Sequence, residues 1–164
     1  MNYASPQDLI DRFGEAEMVQ LTDPDLQAVQ TAKVQRAIED AQAYADSFVG
    51  RVYRLPLTGC VKPAPTAGNP QATALVAPPQ LSRITADVAR YYLWRDFAPE
   101  SEVYLRYKAA TKELEAIGEG KATLSCPWGG LPGALVQGTE PGTAEVFHGF
   151  SPRSMSDSDL AGYR

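Results

Sequence analysis

The feature that most constrains the fold is a long amphipathic repeat in the first third of the chain. Apolar residues return at steps of four, three, four, three and four along one side of the segment from about residue 27 to 54. The stripe consists of Val34, Ile38, Ala41, Ala45, Phe48 and Val52. This spacing follows the 3.6-residue turn of an α-helix. The segment therefore predicts one long helix that ends before Pro56, because proline cannot continue a helix.

Four further segments carry helical periodicity together with helix boundary signals. Ser5 is a good N-cap, Pro6 suits the first helical position, and Gly14 can end a helix. The predicted helices are a short one from Ser5 to Gly14, one or two turns ending near Thr22, one from about Pro79 to Asp96, and one from Ser101 to Gly118. The sequence therefore predicts an all-α fold, a small bundle of about four to five helices.

Two segments lack periodicity. The loop at 57–79 is rich in Pro, Gly, Ala and Thr, and we expect it to be exposed, with a short extended piece at 74–76. Past Lys121 the chain is dense in Gly, Pro and Ser, with isolated large apolar residues. We therefore divide the chain into a helical domain, 1–122, and an extended C-terminal arm, 123–164.

The composition of the arm is mixed. A flexible linker would lack its aromatic residues, and a folded domain would show periodicity. The arm is therefore predicted to order against a partner protein, with a fold back onto its own bundle as the alternative. The residues predicted to dock on a partner or a neighbouring subunit are Trp128, Leu131, Leu135, Phe147 and Phe150.

Length and charge narrow the classes of function. A chain of 164 residues is sufficient for one domain, and a net charge of −5 opposes a main task of neutralising phosphate. The first residues do not resemble a secretory signal, and no stretch reaches the roughly 20 apolar residues that span a bilayer. We therefore expect a soluble protein made in the cytoplasm, with no membrane partner. Cys60 and Cys126 are accordingly expected to be reduced thiols.

A search for chemical motifs predicts no catalytic, cofactor-binding or metal-binding residues. The carboxylate pairs lie on polar helix faces, and neither a G-x-S-x-G elbow nor a Walker-type loop is present. Cys126 has no candidate base except His148, so it is predicted to be inert. A DNA-binding regulator and a small enzyme remain alternatives. Against DNA binding, Asp87 lies among the arginines of its helix and can pair with Arg83 or Arg90.

Four stretches, in this order, resemble the small virion proteins of Mu-like phages and prophages. They are YASPQDLIDRFGEAEMVQLTD, VQRAIEDAQAYADSFVGRVYRLPL, ITADVARYYLW and VYLRYKAATKELEAIGEGKATL. The resemblance covers roughly residues 2–125, and its most specific parts are the N-terminal stretch and ADVARYYL. Two departures are the loop at 58–79, which is longer than usual, and the extension past Ser125.

The resemblance implies a head-to-tail connector, also called an adaptor, in the neck of the virion. Such proteins form a homo-oligomeric ring, typically twelve-fold, beneath the portal protein and above a stopper or tail-completion protein. Genomic DNA would pass through the ring without sequence-specific binding, and assembly would take place in the host cytoplasm. The family has no associated catalytic residues. A head-completion stopper is the nearest alternative.

A ring also assigns a role to the charges beside the apolar stripes. Each unit must offer complementary surfaces to two identical neighbours, in a contact that closes by rotation. The residues predicted to contribute to subunit contacts are Asp87, Arg90, Arg95 and Arg106.

Overall fold

A computed structural model describes residues 1–23, 25, 27–63, 73–94 and 101–136. The helices are α1 (Pro6–Phe13), α2 (Glu15–Thr22), α3 (Thr31–Val49), α4 (Pro79–Leu93) and α5 (Glu102–Gly118), and the strands are β1 (Cys60–Pro63) and β2 (Thr73–Val76). The fold is therefore mostly helical, as predicted, but it is not purely all-α.

The first helix begins where its capping residues predict. The Ser5 hydroxyl accepts a hydrogen bond from the Asp8 backbone N–H, and the Asp8 carboxylate accepts one from the Ser5 N–H. This reciprocal pair is a capping box, which satisfies two donors at the helix start. Gly14 follows with φ of 89°, a conformation that favours glycine, and the chain enters α2 directly. The predicted N-cap of α5 is also present, since Ser101 accepts from the Tyr104 N–H.

The central helix α3 carries the predicted apolar stripe but is shorter than predicted. Val34, Ile38, Ala41 and Ala45 are buried in the core. The helix begins only at Thr31, because the Asp23 carboxylate accepts hydrogen bonds from the backbone at residues 27 and 28 and holds those residues in a turn. It ends at Val49, and Gly50 and the residues after it form turns.

The core lies between α3, α4 and α5, and α1 and α2 close one side of it. Helix α4 packs against both α3 and α5. It begins at the predicted Pro79 but ends at Leu93 rather than near residue 96. The largest fully buried side chains of α4 and α5 are Leu81, Ile84, Val88, Leu114 and Ile117. The three long helices therefore supply most of the buried apolar volume.

The predicted loop at 57–79 contains a β-hairpin. Strands β1 and β2 pair in antiparallel fashion, with Cys60 opposite Val76 and Val61 opposite Leu75. The extended piece predicted at 74–76 is confirmed as most of β2, whereas β1 was not predicted. Residues 64–72 lie outside the described part of the chain.

The first described residues of the predicted C-terminal arm pack on the five helices, which we call the helical body. Leu124 is fully buried, and its backbone N–H and C=O both bond the Tyr53 hydroxyl, at 2.8 and 3.3 Å. Further along, the Arg54 N–H bonds the Ala134 carbonyl, and the Val136 N–H bonds the Val52 carbonyl. Residues 123–136 therefore do not extend away from the rest of the chain, because residues 52–54 supply hydrogen bonds to Leu124, Ala134 and Val136. The predicted arm at 137–164 lies outside the described residues.

The two cysteines form a disulfide, so the expectation of reduced thiols, and of an inert thiol at Cys126, is wrong. Cys60 begins β1, Cys126 lies in the segment after α5, and their Cα atoms are 5.3 Å apart. The turn at 127–130 brings the second cysteine onto the hairpin. The separation of 66 positions in sequence concealed this approach. Among the described helices, none is long and apolar enough to span a membrane.

Candidate interaction surface

Several charged side chains of the helical body form ion pairs within the chain. The Arg90 guanidinium makes two hydrogen bonds to the Glu17 carboxylate, at 2.6 and 2.9 Å, and it stacks 4.5 Å from the centroid of the Phe13 ring. A bidentate contact of this kind is stronger and more directional than a single ion pair. The Arg90 side chain is only 12% exposed. Its main described role is thus to tie α4 to α1 and α2.

Asp87 is buried beside two arginines. Its carboxylate lies 3.6 Å from Nη1 of Arg83 and 3.9 Å from Nη1 of Arg106. Burial raises the pKa of Asp87 above its ordinary value, while the nearby arginines oppose that rise. The pairing of Asp87 with Arg83 is the one predicted at four-residue spacing. Arg83 also bonds Glu113 on α5 at 2.6 Å, so this cluster joins α4 to α5.

The four predicted subunit-contact residues therefore differ in availability. Asp87 and Arg90 are engaged within the chain, and Arg95 lies outside the described residues. Arg106 bonds Glu102 at 2.8 Å, yet its side chain is 52% exposed and can reach a neighbouring molecule. A role of all four in subunit contacts stays a prediction.

An aromatic cluster lies on the side of the body where α3, α4 and α5 meet. Tyr91 stacks on Tyr107 with ring centroids 3.9 Å apart, and Tyr44 meets Phe48 edge to face. Burial, together with the neighbouring tyrosines and Asp40, raises the pKa of Tyr92 to about 12. These rings pack mainly on one another and so extend the core.

The exposed large apolar side chains are unevenly distributed. In the described part of the chain six of them lie near the hairpin and two lie on α4 and α5. The six are Met1, Leu55, Val61, Leu75, Trp128 and Leu131, and the two are Tyr92 and Leu105. We call residues 1–2, 55–63, 73–77 and 126–133 the hairpin end. A concentration of exposed apolar side chains is typical of a binding surface.

Backbone and covalent contacts hold the hairpin end together. The Pro132 carbonyl accepts from the Gly59 N–H at 2.9 Å and from the Thr58 hydroxyl at 2.8 Å. The Lys62 ammonium lies 5.9 Å from the centroid of the Trp128 ring. Gly59 has φ of 94°, and a Cβ at this position would collide with Met1. The hairpin is thus fixed against the segment at 126–133.

The two faces of the hairpin differ. Cys60 and Lys62 share one face, because side chains alternate along a strand, and the segment that carries Cys126 covers it. Val61 and Leu75 oppose each other on the other face and are 53% and 62% exposed. An apolar cross-strand pair is normally buried against a core or a partner. This pair has neither within the described residues.

An open cleft of about 360 Å³ lies beside Leu75. Leu75 and Ala77 line one side, and the N-terminal residues with Asp8 and Gln35 line the other. The Gln42 side chain accepts from the Tyr3 N–H, and the Tyr3 hydroxyl bonds the Asp46 carboxylate, so the N-terminal wall is fixed to α3. Burial and this bond raise the pKa of Tyr3. The cleft can bind an apolar side chain and present hydrogen-bonding groups to a backbone.

The predicted docking residues are placed partly as expected. Trp128 and Leu131 are exposed at the hairpin end, whereas Leu135 is half-buried and forms a bridge with Tyr53. Phe147 and Phe150 lie outside the described residues. Sequence reasoning missed Val61 and Leu75, whose only signal was alternation across a four-residue strand. Among the described residues, no group of three His, Cys, Asp or Glu side chains could hold a metal ion.

Comparison with known proteins identifies the family. A family model described as Bacteriophage Mu, Gp36 matches residues 3–132, which include the helices, the hairpin and its disulfide. The chain is 29% identical over 123 residues to the Mu-like prophage FluMu protein gp36 of Haemophilus influenzae, and 28% identical over 123 residues to gene product J of Escherichia phage Mu. Each alignment covers 74% of both chains. The chain thus belongs to the Bacteriophage Mu, Gp36 family of Mu-like phage proteins.

Proposed function

We propose that the protein is a head-to-tail connector of a Mu-like phage, an adaptor that forms a ring below the portal and joins the capsid to the tail. The observation that carries the proposal is the hairpin end, which concentrates exposed apolar side chains on a chain of a phage family. Its partners would be the portal protein on one side and a stopper or tail-completion protein on the other. It would be located in the virion neck after assembly in the host cytoplasm.

A ring subunit needs a stable fold and a surface for its neighbours, and the chain has internal ion pairs in the helices and exposed apolar side chains at the hairpin end. Arg90 and Arg83 are bound to carboxylates of their own chain, so the helices keep their arrangement without a partner. Burying one large apolar side chain contributes about 1.5–3 kcal/mol, and a ring repeats that contribution in every copy. We propose a twelve-membered ring, following the resemblance described above.

The same contacts favour a connector over a DNA-binding regulator. A recognition helix must present several free arginine or lysine side chains to the bases. On α4, Arg83 and Arg90 are engaged with Glu113 and Glu17. A net charge of −5 also limits adhesion of the ring to DNA that passes through it. We propose neither an enzymatic activity nor a cofactor. A stopper in the next layer of the neck remains the alternative role.

Disruption of the gene in an inducible prophage tests the proposal. We expect lysates with filled heads and separate tails, and restored particles when the intact chain is supplied in trans. The chain should be present in purified particles at a copy number like that of the portal. Joined particles that form normally without the protein, or purified particles that lack it, would contradict the proposal.

The same system tests the C-terminal arm. A truncation after Gly120 would remove the buried Leu124 and destabilise the body, so the deletion begins after Val136. If residues 137–164 dock on a partner, their deletion should leave a folded body that no longer joins heads to tails. Normal particles from this deletion would overturn the role of the arm and leave the neck location standing.

A further inference from the structure

Within the described residues, no third strand lies beside the sheet of the hairpin end. The sheet has two strands in the described part of the chain, and an isolated pair of strands is marginally stable. The outer edge of each strand presents backbone N–H and C=O groups that a third strand can pair with. The exposed pair of Val61 and Leu75 lies on this sheet, and the cleft begins beside Leu75. Backbone pairing and an apolar pocket together are the means by which proteins bind an extended segment.

We propose that this site binds the C-terminal segment, residues 137–164, of a second copy of the chain. The proposal rests on the proposed ring and specifies one contact between neighbouring subunits. The segment has suitable chemistry, because Val146 and Phe150 would lie on the same side of an extended strand and can contact Val61 and Leu75. The polar rim of the cleft, with Asp8 and Gln35, is suited to backbone N–H groups.

The reach of the segment allows it to meet a neighbour. The segment follows directly after Val136, whose N–H bonds the Val52 carbonyl just beyond the end of α3. Phe147 follows Val136 by eleven residues, so the two can be up to about 36 Å apart in an extended chain. That span exceeds the length of α3, about 28 Å for its 19 residues. The segment can therefore pass from one body to the next.

A contact between two different surfaces also provides the symmetry that a ring needs. Each copy has one segment that binds, residues 137–164, and one site that is bound, the hairpin end. Such a head-to-tail contact repeats by rotation until the last copy meets the first. A surface that paired with itself would stop at a dimer.

Photo-crosslinking of the intact chain tests the proposal. A photoreactive phenylalanine is placed at Leu75 in one preparation, at Val61 in a second, and at Leu105 on α5 as the control. Chains of normal and heavy isotopic composition are mixed at the highest concentration that the protein reaches. We expect crosslinks from positions 75 and 61 to residues 137–164, about half of them between light and heavy chains, and none of this kind from position 105.

Every other pattern overturns the proposal. If light chains crosslink only to light residues and heavy chains only to heavy residues, the segment binds its own body. Crosslinks elsewhere on the second copy would show a different subunit contact. The absence of crosslinks between chains would show that the copies do not bind each other through this site. The neck location would survive each of these results, because it is tested by the composition and joining of particles.

A matched pair of substitutions measures the contribution of the apolar face. Leu75→Glu places a charge on the proposed acceptor, and Leu105→Glu places the same charge on a side chain of similar exposure, 57% against 62%. We expect Leu75→Glu to weaken self-association at least tenfold in sedimentation equilibrium, and Leu105→Glu to leave it unchanged. Equal effects, or no effect of Leu75→Glu, would contradict the proposal.

Discussion

The helical body and the hairpin end are built in opposite ways. In the body, apolar side chains are buried between three long helices, and arginines bind carboxylates of the same chain. At the hairpin end, one disulfide and a few backbone hydrogen bonds hold two short strands on which Val61 and Leu75 remain exposed. The difference shows that the body is stabilised by its own contacts, whereas the hairpin end leaves apolar surface uncovered among the described residues.

The largest difference in stability is expected between substitutions of a buried and an exposed leucine. Leu114 on α5 is fully buried, and Leu114→Ala should lower the free energy of unfolding by about 2–5 kcal/mol through lost burial and a cavity. Leu75→Ala at the hairpin end should change it by less than about 0.5 kcal/mol. Urea denaturation followed by circular dichroism measures both. Equal losses would show that Leu75 belongs to a core.

Removal of the disulfide should affect the hairpin end first. Replacement of Cys60 and Cys126 by serine should lower the stability by about 2–4 kcal/mol, because the crosslink restricts the unfolded chain. Hydrogen exchange should accelerate at 58–63 and 124–136 and stay slow in α3. Reduction of the unmodified protein should give the same pattern. Two titratable thiols in the native, unreduced protein would contradict the described bond.

Two arginines of the body should differ in how much they contribute to stability, because one is mostly buried and the other is half exposed. Arg90→Ala removes two hydrogen bonds to Glu17 and should cost about 1.5–3 kcal/mol. Arg106→Ala removes the pair with Glu102 and a longer contact with Asp87, and because the Arg106 side chain is half exposed it should cost less than about 1 kcal/mol. Thermal unfolding of the two variants compares them. If Arg106→Ala is as costly as Arg90→Ala, Arg106 has a structural role rather than an interface role.

The Tyr53 hydroxyl is one of the groups that hold the segment after α5 on the body. Tyr53→Phe leaves the buried N–H and C=O of Leu124 without their partner and should cost about 1–3 kcal/mol. Tyr92→Phe is the control, since its ring is partly exposed on the body. Chemical denaturation of both variants checks the difference. Equal stabilities would contradict the described contact.

The smallest effects are expected from two acidic residues with opposite pKa shifts. Burial raises the pKa of Asp87 above 3.8, so the stability contributed by its proton is lost as the pH rises through the raised value. Hydrogen bonds from the backbone at 27, 28 and 25 lower the pKa of Asp23 below 3.8, so the stability contributed by its carboxylate is lost as the pH falls through the lowered value.

The free energy of unfolding, measured at a series of pH values, reports the contribution of each acid. Relative to Asp87→Asn, the unmodified protein should lose stability as the pH rises above about 4. Relative to Asp23→Asn, it should lose stability as the pH falls below that value. Slopes of the same sign for the two pairs would contradict the assigned environments.

The body could be predicted from the sequence because its signals are local. The stripe from Val34 to Ala45 repeats over several helical turns, and Ser5 and Ser101 lie within three residues of the N–H groups that they cap. The pairing of Asp87 with Arg83 spans four residues of one helix. Signals of this kind require no knowledge of the tertiary structure.

The hairpin end could not be predicted in the same way because its contacts are distant in sequence. The disulfide joins residues 66 apart, and the Thr58 hydroxyl bonds the Pro132 carbonyl across 74 residues. Strand β1 has four residues, too few for alternation to separate it from a loop. Trp128 and Leu131 were predicted to dock because large apolar residues are unusual in a Gly- and Pro-rich segment, but that composition did not reveal that the segment returns to the body.

A reconstruction of the neck of the intact particle tests the central claim most directly. If the hairpin end is the binding region, Val61, Leu75 and Trp128 of each copy should be buried against a neighbouring copy or the portal, while Arg90 still binds Glu17 of its own chain. A neck in which these three side chains face solvent, and the helical faces carry all of the contacts, would contradict the account.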